Sequence, residues 1–70
     1  MTLGETIDYL RRNNGITQQE FANMLNVPRT TVTKWICNVL TPDTKNLEAI
    51  SHIFNISVDD LLHYQKYIVV

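Results

Sequence analysis

Thr17-Gln18-Gln19-Glu20-Phe21-Ala22-Asn23-Met24-Leu25-Asn26-Val27-Pro28-Arg29-Thr30-Thr31-Val32-Thr33-Lys34-Trp35 is the stretch that decides the fold. Thr17 and Glu20 have the spacing of a capping box, in which two side chains satisfy the free amides at a helix start. Phe21, Ala22 and Leu25 then share one side of that helix. Asn26 accepts left-handed backbone and ends the helix after two turns. Pro28 suits the first turn of the next helix, where a missing N–H costs nothing. At about 100° per residue, Val32, Trp35 and Ile36 gather on one face of this second helix. Thr30, Thr33, Lys34 and Cys37 gather on the opposite face. That outer face is small and polar with one cation. Glu and Lys are commoner on a merely solvated helix, because β-branched Thr is a modest helix former.

A short helix, a tight turn and another helix outline a helix-turn-helix. Upstream, Thr2 and Glu5 repeat the capping-box spacing, and Leu3, Ile7 and Leu10 follow as an apolar stripe of helical period. Asn13-Asn14-Gly15 closes that helix, with Gly15 able to take left-handed backbone. Downstream, Asn38 to Pro42 reads as a loop. Asp43 caps a fourth helix carrying Leu47, Ile50 and Phe54, which Asn55 ends. Ser57 with Asp60 opens a fifth, carrying Val58, Leu61 and Leu62. The expected fold is all-α, with five helices over residues 1–63 and the helix-turn-helix at about 17–37. Residues 64–70 form a tail that either extends the fifth helix or makes an apolar arm, packed locally or serving as a dimer contact.

Composition narrows the function. Seventy residues suit one small domain, and a hydrophobic share of 44 % is too high for a disordered chain. No apolar run approaches the ~20 residues that span a bilayer, and the N-terminus carries no basic patch followed by an apolar stretch. The single cysteine, Cys37, excludes an internal disulfide framework and fits a reducing compartment, so the expected location is cytoplasmic. Six Lys and Arg stand against seven Asp and Glu, a net charge of −1. Nucleic-acid binders are usually basic. The positive excess here is confined to residues 17–41, where Arg29 and Lys34 outweigh Glu20.

Enzymatic chemistry finds no support. There is no Gly-rich phosphate loop, no nucleophile elbow and no acid/base pair in a chain too small for a deep pocket. Asp59-Asp60 reads as the acidic first turn of a helix. His52, His63 and Cys37 match no zinc spacing. No metal and no cofactor is expected.

Four pieces in register carry a family resemblance: Ile16-Thr17-Gln18-Gln19-Glu20-Phe21-Ala22; Val27-Pro28-Arg29-Thr30-Thr31-Val32-Thr33-Lys34-Trp35; Pro42-Asp43 with Leu47; and Ile56-Ser57-Val58-Asp59-Asp60-Leu61-Leu62. Together they resemble the Cro/cI-type (XRE-like) helix-turn-helix family over about residues 3–62. The resemblance implies a five-helix domain that binds operator DNA, typically as a dimer, with helix three in the major groove. It implies a phosphate contact for Gln18 at the start of helix two. It implies base or phosphate contacts for Arg29, Thr30, Thr31, Thr33 and Lys34. A free-standing module of this size is similar to regulators of temperate-phage lysogeny switches in a bacterial host.

The chain also departs from the family. Where members commonly read Trp-Glu-Asn-Gly-Lys, this one reads Trp35-Ile36-Cys37-Asn38-Val39. Asn38 replaces a helix-ending glycine and Val39 replaces a cation. Pro28 replaces the usual serine cap. Ile36, Val39 and Leu40 either pack against the core and under the loop, or form an exposed patch that binds protein. The second possibility resembles the small phage antirepressors called modulators of repression, whose partner is a repressor protein. Such a domain blocks its partner's operator binding.

Overall fold

A computed structural model describes residues 1–63. The tail at 64–70, and with it the extended helix or apolar arm, lies outside the described residues. Five helices follow in chain order: α1 Leu3–Asn13, α2 Gln18–Leu25, α3 Arg29–Ile36, α4 Thr44–Phe54 and α5 Val58–Leu62. No strand occurs among the described residues.

The helix boundaries follow from side chains that satisfy terminal amides. Thr2 and Thr17 each accept the amide of the residue three on, and Glu5 and Glu20 return the bond to the cap amide. Asp43 accepts the Asn46 amide at 2.9 Å, and Ser57 accepts that of Asp60 at 3.0 Å. The exception is α3. Pro28 lies just outside the helix as its cap residue, not in the first turn, and makes no side-chain cap. Its restricted φ of −63° still sets the chain's direction into the helix.

The helix ends turn left-handed where the sequence placed Asn or Gly. Asn26 and Asn55 both have φ 56°, Asn38 has φ 60° and Gly15 has φ 67°. Each reversal lets an amide beyond the helix reach back to a carbonyl of its last turn, as Val27 N–H does to Ala22 and Ile56 N–H to Ser51, both at 3.0 Å.

The buried core joins all five helices. Ile7 and Leu10 come from α1, Phe21, Ala22 and Leu25 from α2, Val32 and Trp35 from α3, Ile50 from α4 and Leu61 from α5. Leu3, Leu47 and Phe54, expected on the apolar stripes, pack against this core while remaining half-buried. The rings of Phe21 and Phe54 stack at 5.6 Å and tie α2 to α4. Helix α3 packs against α1 and α2 through Val32 and Trp35. The face carrying Thr30, Thr33, Lys34 and Cys37 is therefore turned outward, and all four residues are exposed.

Candidate nucleic-acid interface

The outer face of α3 and the first turn of α2 form one continuous polar surface. Thr17 starts α2 and so puts Gln18 at its first helical position, half-buried. Asn26 then reverses the chain, and α3 begins three residues later. The result brings Gln18 beside the middle of α3. The Thr33 hydroxyl donates to Gln18 Oε1 at 2.8 Å and lies 3.2 Å from the Arg29 carbonyl oxygen.

Arg29, Thr30, Thr33 and Lys34 are all exposed around this point. Thr31 is half-buried and lies toward the inner side of the first turn, its amide bonded to the Pro28 carbonyl at 3.0 Å. The six residues singled out from sequence thus divide. Arg29, Thr30, Thr33 and Lys34 present side chains outward, Gln18 flanks them, and Thr31 sits at the rim.

Charge is distributed unevenly among the cations. Arg11 is largely buried, held by Asp8 at 2.6 Å and by the Ile16 carbonyl at 2.7 Å. Arg12 pairs with the other oxygen of Asp8 at 3.1 Å. Arg11 therefore serves the α1–α2 junction, while Arg12 pairs within α1. Arg29 and Lys34 enter no ion pair among the described residues. Helix α3 also carries no acidic residue in its first turn. Its positive N-terminal end is left uncompensated on the same surface.

At the other end of α3 the chain folds back sharply. The amides of Val39 and Leu40 both bond the Lys34 carbonyl, at 2.8 and 3.2 Å. Ile36 is half-buried and packs against the core, whereas Val39 and Leu40 are 68 % and 47 % exposed. Of the apolar cluster seen in the sequence, only Val39 and Leu40 remain on the surface. Cys37 is a free, exposed thiol. His52 is also exposed, and no group of metal-ligating side chains forms among the described residues.

Three features of this surface were not read from the sequence. The first is the bond between Thr33 and Gln18, since both side chains were expected to contact nucleic acid directly. The second is the engagement of Arg11 with Asp8 and the Ile16 carbonyl, for which Asp8 three residues earlier was the available signal. The third is an attachment of the loop after α3 to the start of α1. Asn38 Oδ1 accepts the Gly4 amide at 3.1 Å, and its Nδ2 donates to Thr2 Oγ1 at 2.9 Å. Glycine inside α1 was the signal there.

Comparison with known proteins places this geometry. The helix-turn-helix family model matches residues 7–61. The chain is 32 % identical over 68 residues to the HTH-type transcriptional activator BcrR of Enterococcus faecalis, covering 97 % of this chain and 33 % of that protein. It is 34 % identical over 62 residues to the HTH-type transcriptional regulator ImmR of Bacillus subtilis (strain 168), covering 89 % of this chain and 49 % of that one. The chain thus spans a third to a half of the length of these relatives. Among solved structures, it is similar to the P22 c2 repressor bound to a synthetic operator, with a TM-score of 0.82 and 29 % identity over 89 % of this chain and 94 % of that one. The solution structure of the P22 c2 repressor DNA-binding domain gives the same TM-score and identity, covering 82 % of that chain. With five helices in this arrangement and the family match spanning most of its length, the chain belongs to the Cro/cI-type helix-turn-helix family.

Proposed function

We propose that this chain is a DNA-binding transcription regulator of a phage-type lysogeny switch, with residues 1–63 as its helix-turn-helix domain, acting in the cytoplasm of a bacterial host. Helix α3 enters the major groove of operator DNA, and α2 crosses the backbone at Gln18. Arg29 and Lys34 donate to guanine edges or phosphates. Thr30, Thr31 and Thr33 supply short polar contacts and methyl groups suited to thymine. A homodimer places two α3 helices in successive major grooves of a near-palindromic site.

One observation carries this reading. The outward face of α3 combines two cations that enter no ion pair among the described residues with exposed threonines, in a fold that matches an operator-bound repressor at TM-score 0.82. Selection from a randomised duplex pool tests it. Enrichment of one sequence, lost in Arg29→Ala, supports the reading. A pool that stays random contradicts it.

The exposure of Val39 and Leu40 directly after α3 favours a second reading. There the domain is an antirepressor that docks on a repressor protein through these side chains together with Ile36. Regulation then survives Arg29→Ala and is lost in Val39→Ser with Leu40→Ser.

A further inference from the structure

The bond between Thr33 and Gln18 changes what each side chain can do. A carboxamide has two ends of opposite character: the oxygen accepts and the nitrogen donates. Thr33 donates its hydroxyl to Gln18 Oε1, which occupies the accepting end. The donating Nε2 is then the end left for a ligand. Phosphate oxygens only accept hydrogen bonds, so a carboxamide presented nitrogen-first matches them and one presented oxygen-first does not. The geometry points to Thr33 as a positioning residue, which fixes the Gln18 amide for a phosphate and does not itself read a base. This rests on the DNA-binding reading above and revises the part that Thr33 plays in it.

One further observation bears on that division of labour. The second neighbour of the Thr33 hydroxyl, the Arg29 carbonyl at 3.2 Å, also accepts. The single hydroxyl proton can serve only one of these acceptors at a time, and the nearer is Gln18 Oε1. The i−4 carbonyl and the α2 side chain together hold the Thr33 rotamer, so Gln18 meets a fixed partner.

Methyl and hydroxyl can be separated by substitution. Thr33→Val keeps the shape and removes the donor, whereas Thr33→Ser keeps the donor and removes the methyl. The residue is exposed, so both variants retain the fold, which thermal unfolding verifies. Binding is measured by anisotropy on a mixed-sequence duplex and on the sequence selected from the random pool. Thr33→Val is expected to weaken both by about 2- to 10-fold, the range for one neutral hydrogen bond. Thr33→Ser should bind like the parent. The salt dependence should not change, because no cation is lost. In a Gln18→Ala background, Thr33→Val should have no further effect.

Loss in Thr33→Ser with retention in Thr33→Val, or a loss confined to the selected sequence, would show base reading and overturn the inference. Equal losses from Thr33→Val with and without Gln18 would overturn it too, as would no loss in either variant. If the parent chain binds neither duplex, the DNA-binding reading itself fails and this inference falls with it. The state of the parent thus distinguishes the two failures.

Discussion

The carboxamide oxygen of Asn38 accepts the backbone amide of Gly4 at 3.1 Å, joining the residue that follows α3 to the first turn of α1. The same side chain donates to Thr2, the cap of α1, so one residue holds both the cap and the first turn. Close approach makes this possible. A Cβ on Gly4 would meet the carbonyl oxygen of Trp35 and come within 2.6 Å of that of Ile36. The end of α3 and the start of α1 are therefore backbone against backbone.

Gly4→Ala is expected to destabilise by about 2 kcal/mol or more, since an added methyl must push rigid backbone apart. In a domain this small that lowers the melting temperature by roughly 8 °C or more. Differential scanning calorimetry measures it, and an unchanged melting temperature would show that the approach is looser than described.

Asn38 variants separate backbone from side chain. Asn38→Gly keeps the φ of 60° without strain but loses two hydrogen bonds. The gain and loss are each about 1–2 kcal/mol and offset one another. Asn38→Ala loses the bonds and also strains the left-handed backbone, so it should cost about 2–4 kcal/mol. Urea unfolding should rank the parent close to Asn38→Gly and well above Asn38→Ala. Equal costs would mean that the side chain, not the backbone, decides.

Removing the interface cations should act on affinity and leave stability unchanged. Arg29→Ala or Lys34→Ala should cost about 1–3 kcal/mol on a selected operator if the side chain meets a base. A side chain that meets phosphate should instead weaken every sequence and flatten the salt slope by about 0.9. Arg11→Ala should behave oppositely. Its guanidinium is buried on Asp8 and the Ile16 carbonyl, so stability falls. Titrations at several salt concentrations, paired with thermal melts, tell these apart.

Acid should loosen the capping boxes. Glu20 accepts the backbone amide of Thr17 and, secondarily, interacts with its hydroxyl, and both hold the carboxyl below its ordinary value of 4.5. Glu5 is lowered in the same way by Thr2. A carboxylate lowered in the folded state stabilises fully above its unfolded value. That contribution disappears as pH falls from 4.5 through the lowered value. Carbon-detected NMR titration should find Glu20 titrating below 4.5, and Glu20→Gln should reduce the loss of stability over that acid range. Titration of Glu20 at its ordinary value would remove the effect.

What could be read in the sequence was local. Thr2, Thr17, Asp43 and Ser57 announce their helices because a cap needs only a partner three residues away. Asn26, Asn55 and Gly15 announce the ends for a similar reason. The buried face of α3 followed from periodicity, through Val32 and Trp35. The Thr33 bond to Gln18 spans 15 positions, and the Asn38 bonds to Gly4 and Thr2 span 34 and 36. No spacing rule encodes such pairs, because they arise only when helices pack. Ile36 shows the limit of the helical wheel. The wheel puts it on the face of Val32 and Trp35, and the packed structure leaves it only half-buried against the core.

The most direct measurement is fluorescence anisotropy of the purified chain titrated onto mixed-sequence duplex DNA over a range of salt. No operator need be known, because backbone binding is independent of sequence and DNA binders show it at ~10⁻⁴–10⁻⁶ M at physiological salt. The account predicts binding that tightens as salt falls. The logarithmic slope should be about −2 for each subunit bound, set by Arg29 and Lys34. Absence of binding at low salt would contradict it and leave Val39 and Leu40 as the surface to follow.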